Sequence, residues 1–240
     1  MSYLGWTHAV CQQHLSRHVF PKILEIGVHY GQTTLPLVQN LAHGFEKFLY
    51  VGVDIWIRPQ LDEQLSQFSD INIIIHGRAE RSAASGRDVI LFEENSLDWL
   101  TSQTGNTKFD VVFLDGDHNY QTVFQELNLI QSLLKPASIL VCDDYNGKWA
   151  EKDQFYSAKD EYESVKIATP YDFSEKQGVR TAIDEFVNNN VDRWRGLHRI
   201  DLEPIILFNP HVYEAVEISS TNDVWKTLKN RPFPIRRLRA

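Results

Sequence analysis

Five short apolar runs, each continuous rather than alternating, constrain this chain more than any other feature. They are 22–28 (KILEIGV), 48–55 (FLYVGVDI), 88–92 (DVILF), 109–114 (FDVVFL) and 138–142 (SILVC). Continuous runs of this length suit strands covered on both faces. Strands of that kind alternating with helical patterns predict an α/β fold built on a parallel sheet. Between the fourth and fifth runs, Val123, Phe124, Leu127, Ile130 and Leu134 recur at a 3.6-residue period. That spacing predicts a helix stopping at Lys135-Pro136. After the first run, Thr33 and Thr34 can cap a helix, Pro36 fits its first turn and His43-Gly44 ends it. Thr181 and Asp184 form a capping-box-like start for a helix near 179–191, and 204–208 (PIILF) predicts a late strand paired with 197–200.

A length of 240 residues suits one large domain. Residues 1–20 read as a helical segment, 21–210 as the α/β domain, and 211–240 as an extension ending in a basic tail. The stretch 77–88 reads as a surface loop, and 145–178, polar and sprinkled with aromatics, as a lid inserted over the site. The net charge of −8 argues against nucleic acid as a partner, because phosphate neutralisation needs Lys and Arg. No apolar run approaches the roughly 20 residues that span a bilayer. Cys11 and Cys142 read as reduced thiols in a cytoplasmic protein, Cys142 as core. His198 and His211 lack zinc spacing. Self-association into a homo-oligomer is left open.

The first run leads straight into a turn with glycines at 27 and 31. Gly27 lets a ligand approach the backbone, and Gly31 allows tight entry into the helix. The helix amino end then suits a carboxylate or phosphate. A dinucleotide fingerprint would need a closer glycine pair, so a dinucleotide oxidoreductase ranks last. Glu25, just before the turn, could accept from an ammonium group, and Asp54 at the end of the second run could take a ribose diol. A ligand with ammonium, carboxylate and ribose, such as S-adenosylmethionine, meets all of these features.

The ordered segments E-I-G-V-H-Y-G-Q-T-T, V-G-V-D, N-S, F-D-V-V-F-L-D-G-D-H-x-Y and I-L-V-C-D-D-Y, over about residues 20–190, resemble class I S-adenosylmethionine-dependent methyltransferases. More narrowly, they are similar to small-molecule O-methyltransferases of the catechol and macrolide-sugar types, methyltransferase family 24 among them. The resemblance implies a Rossmann-like sheet, mostly parallel and seven-stranded with the last strand antiparallel, and helices on both faces. It implies that Glu25, Gly27, Gly31 and Thr33 hold the methionyl part, Asp54 the ribose, and Asn95 and Ser96 the adenine side, with Asp115 bordering the cofactor. Asn95-Ser96 also reads as a helix cap before Leu97.

Asp115 ends the fourth run, and Asp143 and Asp144 end the fifth. Carboxylates gathered on neighbouring strand tips repel unless a cation or proton joins them. The resemblance makes these three the ligands of Mg²⁺ or another divalent cation, which would lower the pKa of a bound hydroxyl. Successive strand residues face opposite ways, so Asp143 and Asp144 both reach a metal only if the strand has ended before them. His118 or Asp117 is the expected general base. Asp117 also reads as a helix cap, and His118 as a surface residue. Trp149, Phe155, Tyr156 and Tyr171 could stack on an acceptor; His29 and Tyr30 could border the cofactor. The expected activity is methyl transfer to a hydroxyl of a small molecule. The alternatives are a hydroxylase-like relative on the same fold and a non-catalytic cofactor-binding subunit that docks a partner through 229–239.

Overall fold

The computed structural model describes residues 14–75, 79–81, 86–198 and 203–209. In chain order the elements are β1 (Lys22–Ile26), α1 (Thr34–Gly44), β2 (Phe48–Asp54), α2 (Pro59–Leu65), β3 (Asn72–Ile75), β4 (Ala79–Arg81) and β5 (Arg87–Glu93), of which α2, β3 and β4 are not among those expected from the sequence. Then come α3 (Ser96–Ser102), β6 (Phe109–Leu114), α4 (Tyr120–Ile130), β7 (Leu134–Cys142), α5 (Val179–Asn189), β8 (Arg195–His198) and β9 (Ile205–Phe208). All the strands form one sheet in the order β4-β3-β5-β2-β1-β6-β7-β9-β8. The run from β5 to β8 is the Rossmann-like seven-stranded sheet implied by the resemblance. Its only antiparallel member is β9, which pairs antiparallel with both β7 and β8.

Both sheet faces are apolar because the central strands β1, β2, β6 and β7 are covered twice. One face packs Phe48, Tyr50 and Ile23 against Leu37, Val38 and Leu41 of α1 and Leu61 and Leu65 of α2. The other packs Leu24, Val51 and Val112 against Trp99 of α3, Val123 and Leu127 of α4, and Ile183 and Phe186 of α5. This two-sided burial is why the strands read as unbroken runs.

Four local expectations are corrected. The stretch 77–88, expected as a loop, contributes β4, which pairs antiparallel with β3 (Ile75 opposite Ala79), and the start of β5. Helix α4 ends at Ile130, a 3₁₀ turn spans Gln131–Leu133, and Leu134 already belongs to β7 opposite Phe109. The register shifts between Phe109 and Val111, so Pro136, which has no N–H to donate, falls within the irregular part of that ladder. The Thr33 side chain makes no capping bond; instead the Thr34 hydroxyl donates to Glu25 Oε2 at 2.6 Å. Thr181 lies inside α5, whose N-cap is Gly178, and Asp184 accepts from the Tyr145 hydroxyl at 2.8 Å rather than closing a capping box. The pairing expected for the late strand is found between Arg195–His198 and Ile205–Phe208. Residues 1–13 and 210–240, including Cys11, His211 and the basic tail, lie outside the described residues. Among the described residues no helix is long and apolar enough to cross a membrane.

Candidate active site

Register decides where the functional side chains meet. Ile26 is level with Val53 and Leu114, Asp54 with Glu93, and Leu114 with Cys142. Glu93, Asp54, Gly27, Asp115 and Asp143 therefore form one row across five neighbouring strands, at their carboxyl ends. The row borders a cleft of about 470 Å³ walled by Gly27, Asp54, Ser96, Asp115 and Asp117 and roofed by Tyr156, Tyr162 and Thr169. Open α/β sheets bind ligands at this edge, where the strand order reverses.

At the turn, Gly27 has φ +91°, and a Cβ there would stand 1.9 Å from the Asp115 carbonyl oxygen. No other residue fits. Gly31 has φ +79°, and a Cβ there would strike the Leu61 side chain. Asp54 fastens the same turn. Its Oδ2 accepts from Val28 N and His29 N, both at 2.8 Å, and its Oδ1 from Trp56 N at 2.8 Å. Burial raises the Asp54 pKa against the pull of those N–H groups. His29, on the cleft wall, takes a left-handed φ of 48°.

Glu25 does not border the cleft. It is buried on the α1 face, where Thr34 and the Tyr50 hydroxyl both donate to its Oε2. Burial pushes its pKa up to about 8, so the carboxyl holds its proton near neutrality. Asn95 is both cap and tether. Its Oδ1 accepts from Leu97 N (3.0 Å) and Asp98 N (3.4 Å) at the start of α3, and its Nδ2 donates to Ile167 O and Thr169 Oγ1. Ser96, on the cleft wall, donates to the buried Glu126 Oε1 at 2.5 Å. Burial raises the Glu126 pKa to about 8.

The acidic tips do not build the expected three-carboxylate cage. His118 Nε2 stands 3.2 Å from Asp115 Oδ1 and 3.4 Å from Asp144 Oδ2, so the imidazole itself bridges two of the carboxylates. Asp143 shares a small recess with Asp115 and His118. Among the described residues no three His, Cys, Asp or Glu side chains gather closely enough to hold a metal. Strand β7 does end before the acidic pair, at Cys142, and Asp144 then turns through a left-handed φ of 52° towards His118. Burial works to lower the His118 pKa. The hydrogen bond to Asp115 and the charges of Asp115, Asp144 and Asp143 outweigh it, and the net shift is upward. His118 Nδ1 is buried without a partner, so a proton on Nε2 satisfies the most contacts. Asp117 lines the main cleft and accepts from Tyr156 N at 3.0 Å, while burial raises its pKa. It is not the helix cap: Asn119 Oδ1 takes that place, accepting from Thr122 N at 2.8 Å.

The segment 145–178 lies across the cleft and is tied down on both sides. Gln154 N donates to His118 O at 2.8 Å, while Asn95 holds Ile167 and Thr169. Of its aromatics, Tyr156 lines the cleft with its ring 5.8 Å from that of His118, Phe155 is buried against Tyr171, and Trp149 packs on the core. The sequence reading missed Arg58. Its guanidinium lies 3.4 Å from the Trp56 ring centroid and 4.9 Å from that of Tyr30. Its Nη2 donates at 3.1 Å to both Glu161 and the Tyr162 hydroxyl. Only the proximity of Tyr162, remote in sequence, reveals the role.

A family profile described as a methyltransferase domain, family 24, matches residues 24–145. No curated protein matches the chain. Among solved structures, CalS11, a TDP-rhamnose 3′-O-methyltransferase of calicheamicin biosynthesis, is 15% identical with a TM-score of 0.52, covering 85% of this chain and 77% of that one. MycE, a methyltransferase of the mycinamycin pathway solved with Mg, SAH and mycinamycin VI, is 14% identical with a TM-score of 0.50, covering 87% of this chain and 50% of that one. At such identities the likeness shows a shared fold. The profile spans about half of the sequence and contains the whole row of strand tips, and on that ground the chain belongs to the family 24 methyltransferase domains.

Proposed function

We propose that this chain transfers a methyl group from S-adenosylmethionine to a hydroxyl of a small molecule. The row of strand tips carries the reading. A glycine turn, a carboxylate suited to a diol and an acidic pair joined by an imidazole all face one edge of the sheet, beside one cleft. S-adenosylmethionine, when bound, supplies an electrophilic sulfonium methyl group. The turn through Gly27 and Gly31 opens the amino end of α1 to the ligand carboxylate. Asp54 already accepts three backbone N–H bonds and, with about four lone-pair sites, keeps capacity for a ribose hydroxyl. Glu25 supports the turn from below as a neutral acid rather than meeting the ammonium group directly.

The acceptor hydroxyl would lie by Asp115, the only member of the His118 cluster that also walls the main cleft. As its oxygen bonds to the methyl carbon and the carbon–sulfur bond breaks, its proton passes to the Asp115 carboxylate, and the sulfur leaves as a neutral thioether. The Nε2–H of His118, between Asp115 Oδ1 and Asp144 Oδ2, orients Asp115 and balances the charge of the acidic pair. A second reading gives the proton to Asp117, favoured by its place on the cleft wall and its raised pKa. A divalent cation would compete for the oxygens of Asp115, Asp143 and Asp144. Those carboxylates, with His118 between two of them, do not fit a metal cage, so no step here runs through one.

Calorimetry with S-adenosylhomocysteine should show saturable binding, and labelled methyl groups should pass to a member of a panel of phenols, sugars and other hydroxylated small molecules. Asp115→Asn should cut that transfer by about a hundredfold or more. Absence of cofactor binding would end the proposal. Full activity of Asp115→Asn would move the base to Asp117, and inhibition by chelator would restore a metal.

A further inference from the structure

We propose that the His29 imidazole is a ribose-binding group, taking the hydroxyl of the cofactor diol that Asp54 has no room to accept. The inference rests on the reading of the cleft as the S-adenosylmethionine site and deepens it. It begins from a count of lone pairs. A carboxylate offers about four acceptor sites, shared equally between its oxygens. Asp54 Oδ2 spends both of its own on Val28 N and His29 N, each at 2.8 Å, and Oδ1 spends one on Trp56 N, also at 2.8 Å. About one site is left, on Oδ1. A ribose diol brings a pair of O–H donors, and a hydroxyl shut in a cleft without an acceptor is costly. The second hydroxyl needs another partner.

His29 is that partner by position. It walls the cleft together with Asp54, and its own N–H is held on the Asp54 carboxylate, so the imidazole starts directly beside that group. Tyr30 braces the ring edge-on, with centroids 4.4 Å apart and planes at 72°. Neither ring nitrogen makes a hydrogen bond among the described residues. Burial lowers the His29 pKa against the pull of Asp54, so the ring is neutral near pH 7 and keeps one nitrogen as an acceptor. The other polar walls are less suited. Glu94 meets Asp54 through its backbone, Glu94 N donating to the Asp54 carbonyl at 2.9 Å, and not through the carboxylate. On the roof, the Tyr162 hydroxyl already accepts from Arg58, and that of Thr169 from Asn95. The backbone adds an independent sign. With φ 48°, His29 occupies the left-handed region, which only Asp144 shares among the described residues other than glycine. An imidazole is kept where the turn alone would favour glycine.

The test uses the full-length protein and calorimetry with S-adenosylhomocysteine and its 2′-deoxy and 3′-deoxy analogues. His29→Gly should hold its melting temperature, because glycine fits the left-handed turn, yet bind S-adenosylhomocysteine about tenfold more weakly. Against the analogue that lacks the hydroxyl held by His29, the loss should shrink to within about twofold, while against the other analogue it should persist. His29→Asn tolerates the same backbone and carries an amide acceptor, and should recover most of the affinity. A loss of equal size against all the probes would mark a general effect on the turn and overturn the inference. So would undiminished affinity in His29→Gly, or a hydroxyl-selective loss in Glu94→Gln and not in His29→Gly. Wild-type protein that fails to bind S-adenosylhomocysteine at all would overturn the methyl-transfer reading, and this inference with it.

Discussion

Arg58 is the single residue whose loss should do most to unfasten the roof of the cleft. Its side chain is 8% exposed and touches three segments: the glycine turn through Tyr30, the chain after β2 through Trp56, and the roof through Glu161 and Tyr162. The stack on Trp56, at 3.4 Å and out of water, is worth about 1–2 kcal/mol. The bond to the Tyr162 hydroxyl adds about 1 kcal/mol. The ion pair with Glu161, whose side chain is 60% exposed, adds less than about 1 kcal/mol. Arg58→Ala should therefore cost about 2–4 kcal/mol. If the cost falls on the whole fold, the melting temperature should drop by about 4–16 °C for a chain of this size. If it falls on the roof alone, the melting temperature should hold while amide hydrogen exchange across 153–170 speeds up by about thirtyfold or more. Arg58→Lys keeps the charge but loses the planar stack and fork, and should recover less than half of the loss. An Arg58→Ala protein with unchanged melting temperature and unchanged exchange across the roof would refute this account of the clasp.

The buried Glu25 makes stability depend on pH. Its folded pKa of about 8 lies above its ordinary value of 4.5, so the native state holds a proton that the unfolded chain releases, and stability falls by up to about 1.4 kcal/mol per unit as pH rises between those values. Denaturant titrations between pH 5 and pH 8 should show a slope shallower by one proton in Glu25→Gln, and parallel slopes would contradict the assignment. Glu126 should behave in the same way, and the double variant should flatten the profile further. Gly27→Ala should lose at least about 2 kcal/mol of stability and all measurable S-adenosylhomocysteine binding, because its Cβ would collide with the Asp115 carbonyl; calorimetry and a melting curve check both. Asp54→Asn leaves one acceptor oxygen for three backbone N–H groups, and should weaken cofactor binding by about tenfold or more. Unaltered affinity would remove Asp54 from the ribose site.

Much of the frame was legible one residue at a time. The strands covered on both faces wrote themselves as continuous apolar runs, and the acidic residues and glycines of the functional edge stood directly after them, since a strand ends where burial ends. The hairpin edge was not legible, because the three residues of β4, Ala-Glu-Arg, are too short and too polar a run to carry an apolar pattern. The end of α4 was misread because a 3₁₀ turn carried its apolar spacing on to Leu134.

Sequence alone thus determined that the strand tips would bear a glycine turn, a carboxylate at the end of the second strand and an acidic group. Tertiary structure decided how those side chains spend their bonds. Glu25 faces Tyr50 and Thr34 instead of a ligand, His118 rather than a bare gap lies between Asp115 and Asp144, and Arg58 finds Tyr162, which lies 104 residues further along the chain. Burial pattern is a local property, written in the spacing of apolar residues. The partner of a polar side chain is set by which distant segments the packed sheet brings within about 3 Å, and nothing in the order of residues encodes that distance.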